Sequence, residues 1–262
     1  NLNFADLKAF AYLAILLISQ KMSDSTKNQK PSAKNHFIWF FFAVVIVFIY
    51  FFGLSIPLLG PDEPRYSQIA REMFERGDWI TPKLGGSDWF EKPALLYWLQ
   101  IFFFKLFGVS EFAARFGSAL FGLGTVLSLW ILGRKVYPPR NTDAQRFESE
   151  TAKTKDQRPK TDFANYLALI AASSIGLIAF SRGASFDIIL TFPITASLVA
   201  FFIFDQSELK SVFTSYFLLS AFYFFIGISL IAKGLVGIVF PFAIVAFYYV
   251  LSWKLPNKTF IF

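Results

Sequence analysis

The chain contains no cysteine and a single histidine, His36, in 262 residues. The first absence excludes a disulfide framework and any thiolate metal site, and the second excludes a centre built on several imidazoles. Charge is scarce as well, at 16% of residues, whereas 55% are apolar and 20% aromatic, too apolar for an ordinary soluble domain. The net charge of +7 does not form one basic stripe, and no nucleic-acid partner is expected. The basic residues gather between apolar runs, as they do in the cytoplasmic loops of membrane proteins. Most of the 36 phenylalanines stand in runs and read as lipid-facing bulk.

Six apolar segments read as spans: 37–59, 116–133, 164–181, 187–204, 212–232 and 235–252. A seventh, 93–107, is short and is interrupted by Lys105. The positive-inside rule sets its place. Residues 134–162 carry eight Lys or Arg, and the tail before the first span carries Lys27, Lys30 and Lys34, so both are expected in the cytoplasm. An even number of crossings must separate them, which leaves 93–107 lying along the membrane surface as an interfacial helix.

The expected organisation is then a cytoplasmic tail over 1–36, a transmembrane domain over 37–252, and 253–262 as the start of a missing C-terminal part. Residues 60–115 form a long first external loop and 134–163 a cytoplasmic one. Met22 offers a second reading of the start, with residues 1–21 then upstream read-in rather than native chain. The fold class is an all-α integral membrane protein, a multi-span bundle, C-terminally truncated.

At the exit of the first span stands Gly60-Pro61-Asp62-Glu63-Pro64-Arg65-Tyr66. The same parity brings Arg182 and Asp187, and Lys233, to external turns, so the charged groups of three turns converge on one surface. Residues 62–76 have helical spacing, with Tyr66, Ile69, Ala70, Met73 and Phe74 on one side and Gly77 as the stop. Glu72 and Arg76, four apart, can pair on the other side. Plainer readings exist for each group: a helix start at Asp62-Glu63, a wet ion pair at Glu91-Lys92, a cap at Asp187, and a snorkelling amine at Lys233. Gly122-Leu123-Gly124 reads as small-residue helix packing.

Pro-Asp-Glu-Pro-Arg-Tyr (61–66), Gly-Asp-Trp (77–79), Phe-Glu-Lys-Pro (90–93), Leu-Leu-Tyr-Trp (95–98) and Lys-Leu-Phe-Gly (105–108) occur in this order. In this the chain resembles the aminoarabinose transferase and protein O-mannosyltransferase superfamily, membrane glycosyltransferases of the C-type fold. The resemblance runs from about 37 to 252 and is most specific over 60–137. It implies a polyprenyl-phosphate-linked sugar as co-substrate and an active site on the periplasmic face of a bacterial inner membrane. The sugar implied is 4-amino-4-deoxy-L-arabinose and the acceptor a lipid A phosphate. The alternatives are another sugar passed to a protein hydroxyl or glycolipid, and a non-enzymatic transporter of lipid-linked sugars. The resemblance implies catalytic roles for Asp62 and Asp187, and a donor-phosphate site of Arg65, Lys92 and Lys233. Glu91 would hold a divalent metal of unspecified identity. The sequence departs from the family pattern at Ala94, Phe116-Gly117 and Leu235, none of which touches the charged positions.

Overall fold

The computed structural model describes residues 33–136, 160–206 and 212–253. Contacts divide the chain into two units, Asn1–Phe41 with Asn141–Pro159, and Phe42–Arg140 with Lys160–Phe262. Of the first, only residues 33–41 are described, the beginning of a helix. The expectations for the N-terminal tail and its start, for most of the basic loop after 136 and for the residues beyond 253 lie outside the described residues.

Helix α1, Ala33–Phe51, is apolar and uncharged in its last turn. It stops well short of the expected 59. Gly53 turns left-handed at φ 73°, and Pro57 then lacks the N–H a continuing helix needs. Helix α2, Asp62–Arg76, matches its expected limits, with Asp62 and Glu63 in the first turn and Gly77 closing it at φ 67°. The Gly77 N–H caps the Phe74 carbonyl at 3.1 Å. Its apolar face, Tyr66, Ile69, Ala70 and Met73, is buried. The expected pairing of Glu72 with Arg76 gives way to other partners. Glu72 accepts from the backbone N–H of Gly85 at 2.9 Å, and Arg76 donates to the Thr81 carbonyl at 2.7 Å. These bonds seat a short hairpin, β1 (Lys83–Leu84) antiparallel to β2 (Ser87–Asp88), against α2.

Helix α3, Leu95–Phe107, buries Leu96, Tyr97, Gln100, Ile101, Phe103 and Phe104. Its 13 residues rise roughly 20 Å, short of a bilayer core. Helix α4, Glu111–Val136, is long enough at 26 residues. Gly122, Gly124 and Gly133 let it approach its neighbours: a Cβ on Gly124 would stand 2.7 Å from the Phe192 ring, and one on Gly133 2.8 Å from the Ala164 backbone. The small-residue reading of Gly122-Leu123-Gly124 holds.

The segment expected as one clean span over 164–181 is two helices, α5 (Lys160–Ala172) and α6 (Ile175–Ser181), bent by 62°. The break falls at Ser173-Ser174. Ser174 is extended, and the Ser173 hydroxyl bonds the Ile170 carbonyl, the local competition by which serine interrupts helices. Helices α7 (Phe186–Gln206), α8 (Val212–Lys233) and α9 (Val236–Ser252) complete the bundle.

Among the described residues α4, α7 and α8 are long and apolar enough to cross a membrane, with α5 and α6 together as a fourth. The first and last expected spans appear as shorter apolar helices, Phe37–Phe51 and Val236–Ser252. Phenylalanines 213, 217, 224, 240 and 247 stay exposed on the outside of the bundle, where lipid replaces water. The protein is a helical membrane protein. Its main core joins α2, α3, α4 and α7 through residues such as Met73, Tyr97, Ala113 and Ile189. At the other end of α7, Asp205 accepts from the Tyr248 hydroxyl at 2.7 Å and the Tyr249 hydroxyl at 3.2 Å, tying α7 to α9.

Candidate active site

Helix ends and the connections between them meet around one cleft of about 930 Å³. The stretch after α1 supplies Ile56, Leu59 and Gly60, and the start of α2 supplies Asp62 and Glu63. Lys92 comes from the turn before α3, Arg115 from the second turn of α4, and Lys233 from the last turn of α8. Helix α6 adds an apolar wall of Ile175, Ile178, Ala179 and Phe180, and the turn into α7 adds Arg182 and Asp187. The three charged turns do converge.

Three exposed ion pairs stand at the rim. Asp62 accepts from Arg65 one helical turn on. Arg65 also comes within 4.0 Å of Glu91 and lies over the rings of Tyr66 and Trp89, at 5.4 and 5.8 Å from the centroids. Trp89 is thus half-buried beneath a guanidinium and against the core. Glu91 pairs with Lys92 at 3.2 Å. That contact holds the Glu91 carboxyl below its usual range and raises the Lys92 amine. Asp187, in the first turn of α7, meets Lys233, in the last turn of α8, at 2.6 Å. Lys233 stands at a helix end as its plainer reading placed it. The Ser185 hydroxyl, not Asp187, takes the capping role, accepting from the Asp187 N–H at 3.2 Å. Asp187 and Lys233 face one another across two helices. Arg182 donates to the Phe52 carbonyl at 2.7 Å.

Beneath the rim lies a pair that the sequence reading passed over. Arg115 is 1% exposed. Its Nε and Nη2 donate to the two oxygens of Glu63 at 2.7 and 2.8 Å. The remaining hydrogens go to the carbonyls of Leu54, Ile56 and Pro57. Glu63 accepts further from the backbone N–H groups of Leu59 and Ala184, each at 2.7 Å. Burial pushes the Glu63 carboxyl up, but the Arg115 fork and the two N–H groups outweigh it and hold it below the usual range. One sequence signal pointed here: a lone arginine near the start of the apolar helix that opens Glu-Phe-Ala-Ala-Arg-Phe, where an ionisable group needs a partner.

The residues present do not fit a metal at Glu91. One of its oxygens faces the Lys92 amine and the other Arg65, and no cluster of three or more His, Cys, Asp or Glu among the described residues could hold an ion. A two-oxygen donor between two cations repels a dication rather than binding it.

Residues 91–144 match the family described as dolichyl-phosphate-mannose-protein mannosyltransferase. The chain is similar to the undecaprenyl phosphate-alpha-4-amino-4-deoxy-L-arabinose arabinosyl transferases of Aeromonas salmonicida and Aeromonas hydrophila. It is 29% identical to the first over 82% of this chain and 36% of the relative. To the second it is 30% identical over 81% of this chain and 35% of the relative. In fold it is similar to ArnT from Cupriavidus metallidurans in the apo state, with a TM-score of 0.72 at 25% identity, over 85% of this chain and 37% of that one. The same protein bound to undecaprenyl phosphate gives 0.71 at 25% identity, over 84% and 36%. The chain spans a little over a third of these relatives' length. Motifs, fold and relatives agree: the chain is similar in sequence and in fold to the C-type-fold membrane glycosyltransferases of the aminoarabinose transferase and protein O-mannosyltransferase superfamily.

Proposed function

We propose that the cleft is part of the active site of an enzyme that takes a sugar from a polyprenyl phosphate. The observation that carries this reading is the joint presence of Asp62, Lys92, Arg182, Asp187 and Lys233 around one cleft with an apolar wall. Such a site suits a ligand with a phosphate head and a hydrocarbon tail. In the reaction the bond between the anomeric carbon and the donor phosphate oxygen breaks, and that oxygen keeps the electron pair. A new bond forms from the anomeric carbon to an acceptor oxygen. Lys92 and Lys233, with Arg65 nearby, would hold the departing phosphate, and cations count for most where water is excluded. Arg65 would also steady Asp62, its carboxylate partner.

With an ionised acceptor phosphate no proton needs removal, and Asp62 would orient the acceptor; with a hydroxyl acceptor it would take the proton. Asp187 would then act through Lys233, holding the amine at the rim until a phosphate takes it. The favoured donor sugar is 4-amino-4-deoxy-L-arabinose and the favoured acceptor a lipid A phosphate, on the similarity to the Aeromonas transferases.

The site would open at the external, periplasmic face. Arg115 and Arg134 lie 19 residues apart on one helix, which separates the cleft from the basic end of α4 by roughly 28 Å, about a bilayer core. The test is mass spectrometry of lipid A from cells with and without the complete gene, with the aminopentose donor supplied. A gain of aminopentose on the lipid A phosphates is expected. Unchanged lipid A with donor present would reject that acceptor or that sugar.

A further inference from the structure

An arginine has five N–H donors, and a carboxylate about four positions at which to accept. In Arg115 all five donors are used: two on Glu63, and one each on the carbonyls of Leu54, Ile56 and Pro57. In Glu63 all four positions are used, by Nε and Nη2 of Arg115 and by the N–H groups of Leu59 and Ala184. Neither group has capacity left for a phosphate or a hydroxyl, although both border the cleft. Their bonds run to irregular backbone in two segments that line it. Residues 54–59 form one shore, leading to Asp62, and Ala184 belongs to the other, leading to Asp187. Arg115 itself stands on α4, between Ala113 and Ala114 on one side and Gly117 and Ser118 on the other, all buried in helix packing.

We infer that Glu63 and Arg115 are a positioning pair that sets the width of the cleft, holding the Asp62 shore and the Asp187 shore at one spacing. A role in fold stability alone would be served as well by apolar packing, because a buried ion pair gains little over hydrophobic side chains of similar size. What an apolar pair could not do is bind five separate backbone groups in defined directions. The inference rests on the proposed function only in that the spacing serves transfer; the spacing itself can be measured without it.

The natural lack of cysteine gives a clean background for labelling. Spin labels at Leu59→Cys and Ser185→Cys in the complete gene product report the distance between the shores by pulsed electron resonance. Unlabelled protein reports transfer. One narrow distance distribution is expected in the parent, and a broadened or shifted one in Glu63→Gln and in Arg115→Lys. In those variants kcat should fall at least tenfold, KM for the polyprenyl-phosphate sugar should change less than threefold, and the yield of monodisperse protein should stay within twofold. Glu63→Asp, which keeps the charge on a shorter arm, should recover part of kcat. A distribution as narrow as the parent's in both variants would overturn the inference. So would a loss confined to KM, which marks a substrate-binding group, or failure of both variants to fold, which marks a purely structural one. If the parent moves no sugar, the distance measurement still decides the role of the pair, so the two failures are distinguishable.

Discussion

The floor of the cleft and its rim use the same residue types for different ends. At the floor, Glu63 and Arg115 are buried and fully bonded. At the rim, Asp62 with Arg65, Glu91 with Lys92, and Asp187 with Lys233 are partly exposed pairs. Exposed pairs contribute only about 0–1 kcal/mol each, so an incoming phosphate can open them at small cost. Removing one partner of a buried pair strands the other and costs about 3–5 kcal/mol. Burial and bond saturation, rather than charge, separate scaffold from reagent here.

That contrast can be broken most sharply at the floor. Arg115→Ala should lower stability by about 3–5 kcal/mol, read as a fall in the thermal midpoint of the detergent-solubilised protein; a shift no larger than that of Lys92→Ala would erase the distinction. At the rim, Asp62→Asn should reduce transfer by about a hundredfold or more with an unchanged midpoint, and full turnover in that variant would remove Asp62 from the mechanism. Lys92→Ala and Lys233→Ala should each weaken donor binding about tenfold, the low end for a charge-assisted hydrogen bond in a partly exposed setting. Titration with undecaprenyl phosphate checks this, and Asp187→Asn, which frees Lys233, should weaken binding less than Lys233→Ala does.

Acid sharpens the comparison further. The Glu63 carboxyl is held below its ordinary 4.5, so its stabilising share is complete above that pH and is lost as pH falls through the lower folded value. The midpoint should therefore drop on acidification below about pH 4.5, and Glu63→Gln should flatten that limb. The smallest effect belongs to the end of α2. Gly77→Ala places a side chain at φ 67° and should cost about 1 kcal/mol without touching transfer.

How much could be read from sequence depended on the range of the signal. Helix α2 was legible to its ends because acidic start, apolar stripe and glycine stop all lie within sixteen residues. The convergence of Asp62, Arg182, Asp187 and Lys233 followed from counting helices, since every second crossing returns a chain to the same side. Glu63 with Arg115 was not legible, because the partners are 52 residues apart and neither stands in a repeating pattern. Hydropathy also missed the ends of helices. Ser173-Ser174 and the stretch after Phe51 are nearly as apolar in their surroundings as the helices they interrupt, and only the fate of their backbone hydrogen bonds marks the break. The metal expected at Glu91 failed for a third reason: a carboxylate's neighbours in space, here Arg65 and Lys92, decide whether it can accept a cation.

The unwound stretch after α1 has one consequence of its own. Bare carbonyls at the margin of a bilayer ordinarily demand hydration, and a hydrated edge repels hydrocarbon. Here Arg182 takes the carbonyl of Phe52, and Arg115 takes those of Leu54, Ile56 and Pro57. Two guanidinium groups thus act as a built-in, immobile solvent for four peptide groups. The unwound segment carries its own solvation in the form of two side chains from elsewhere in the fold.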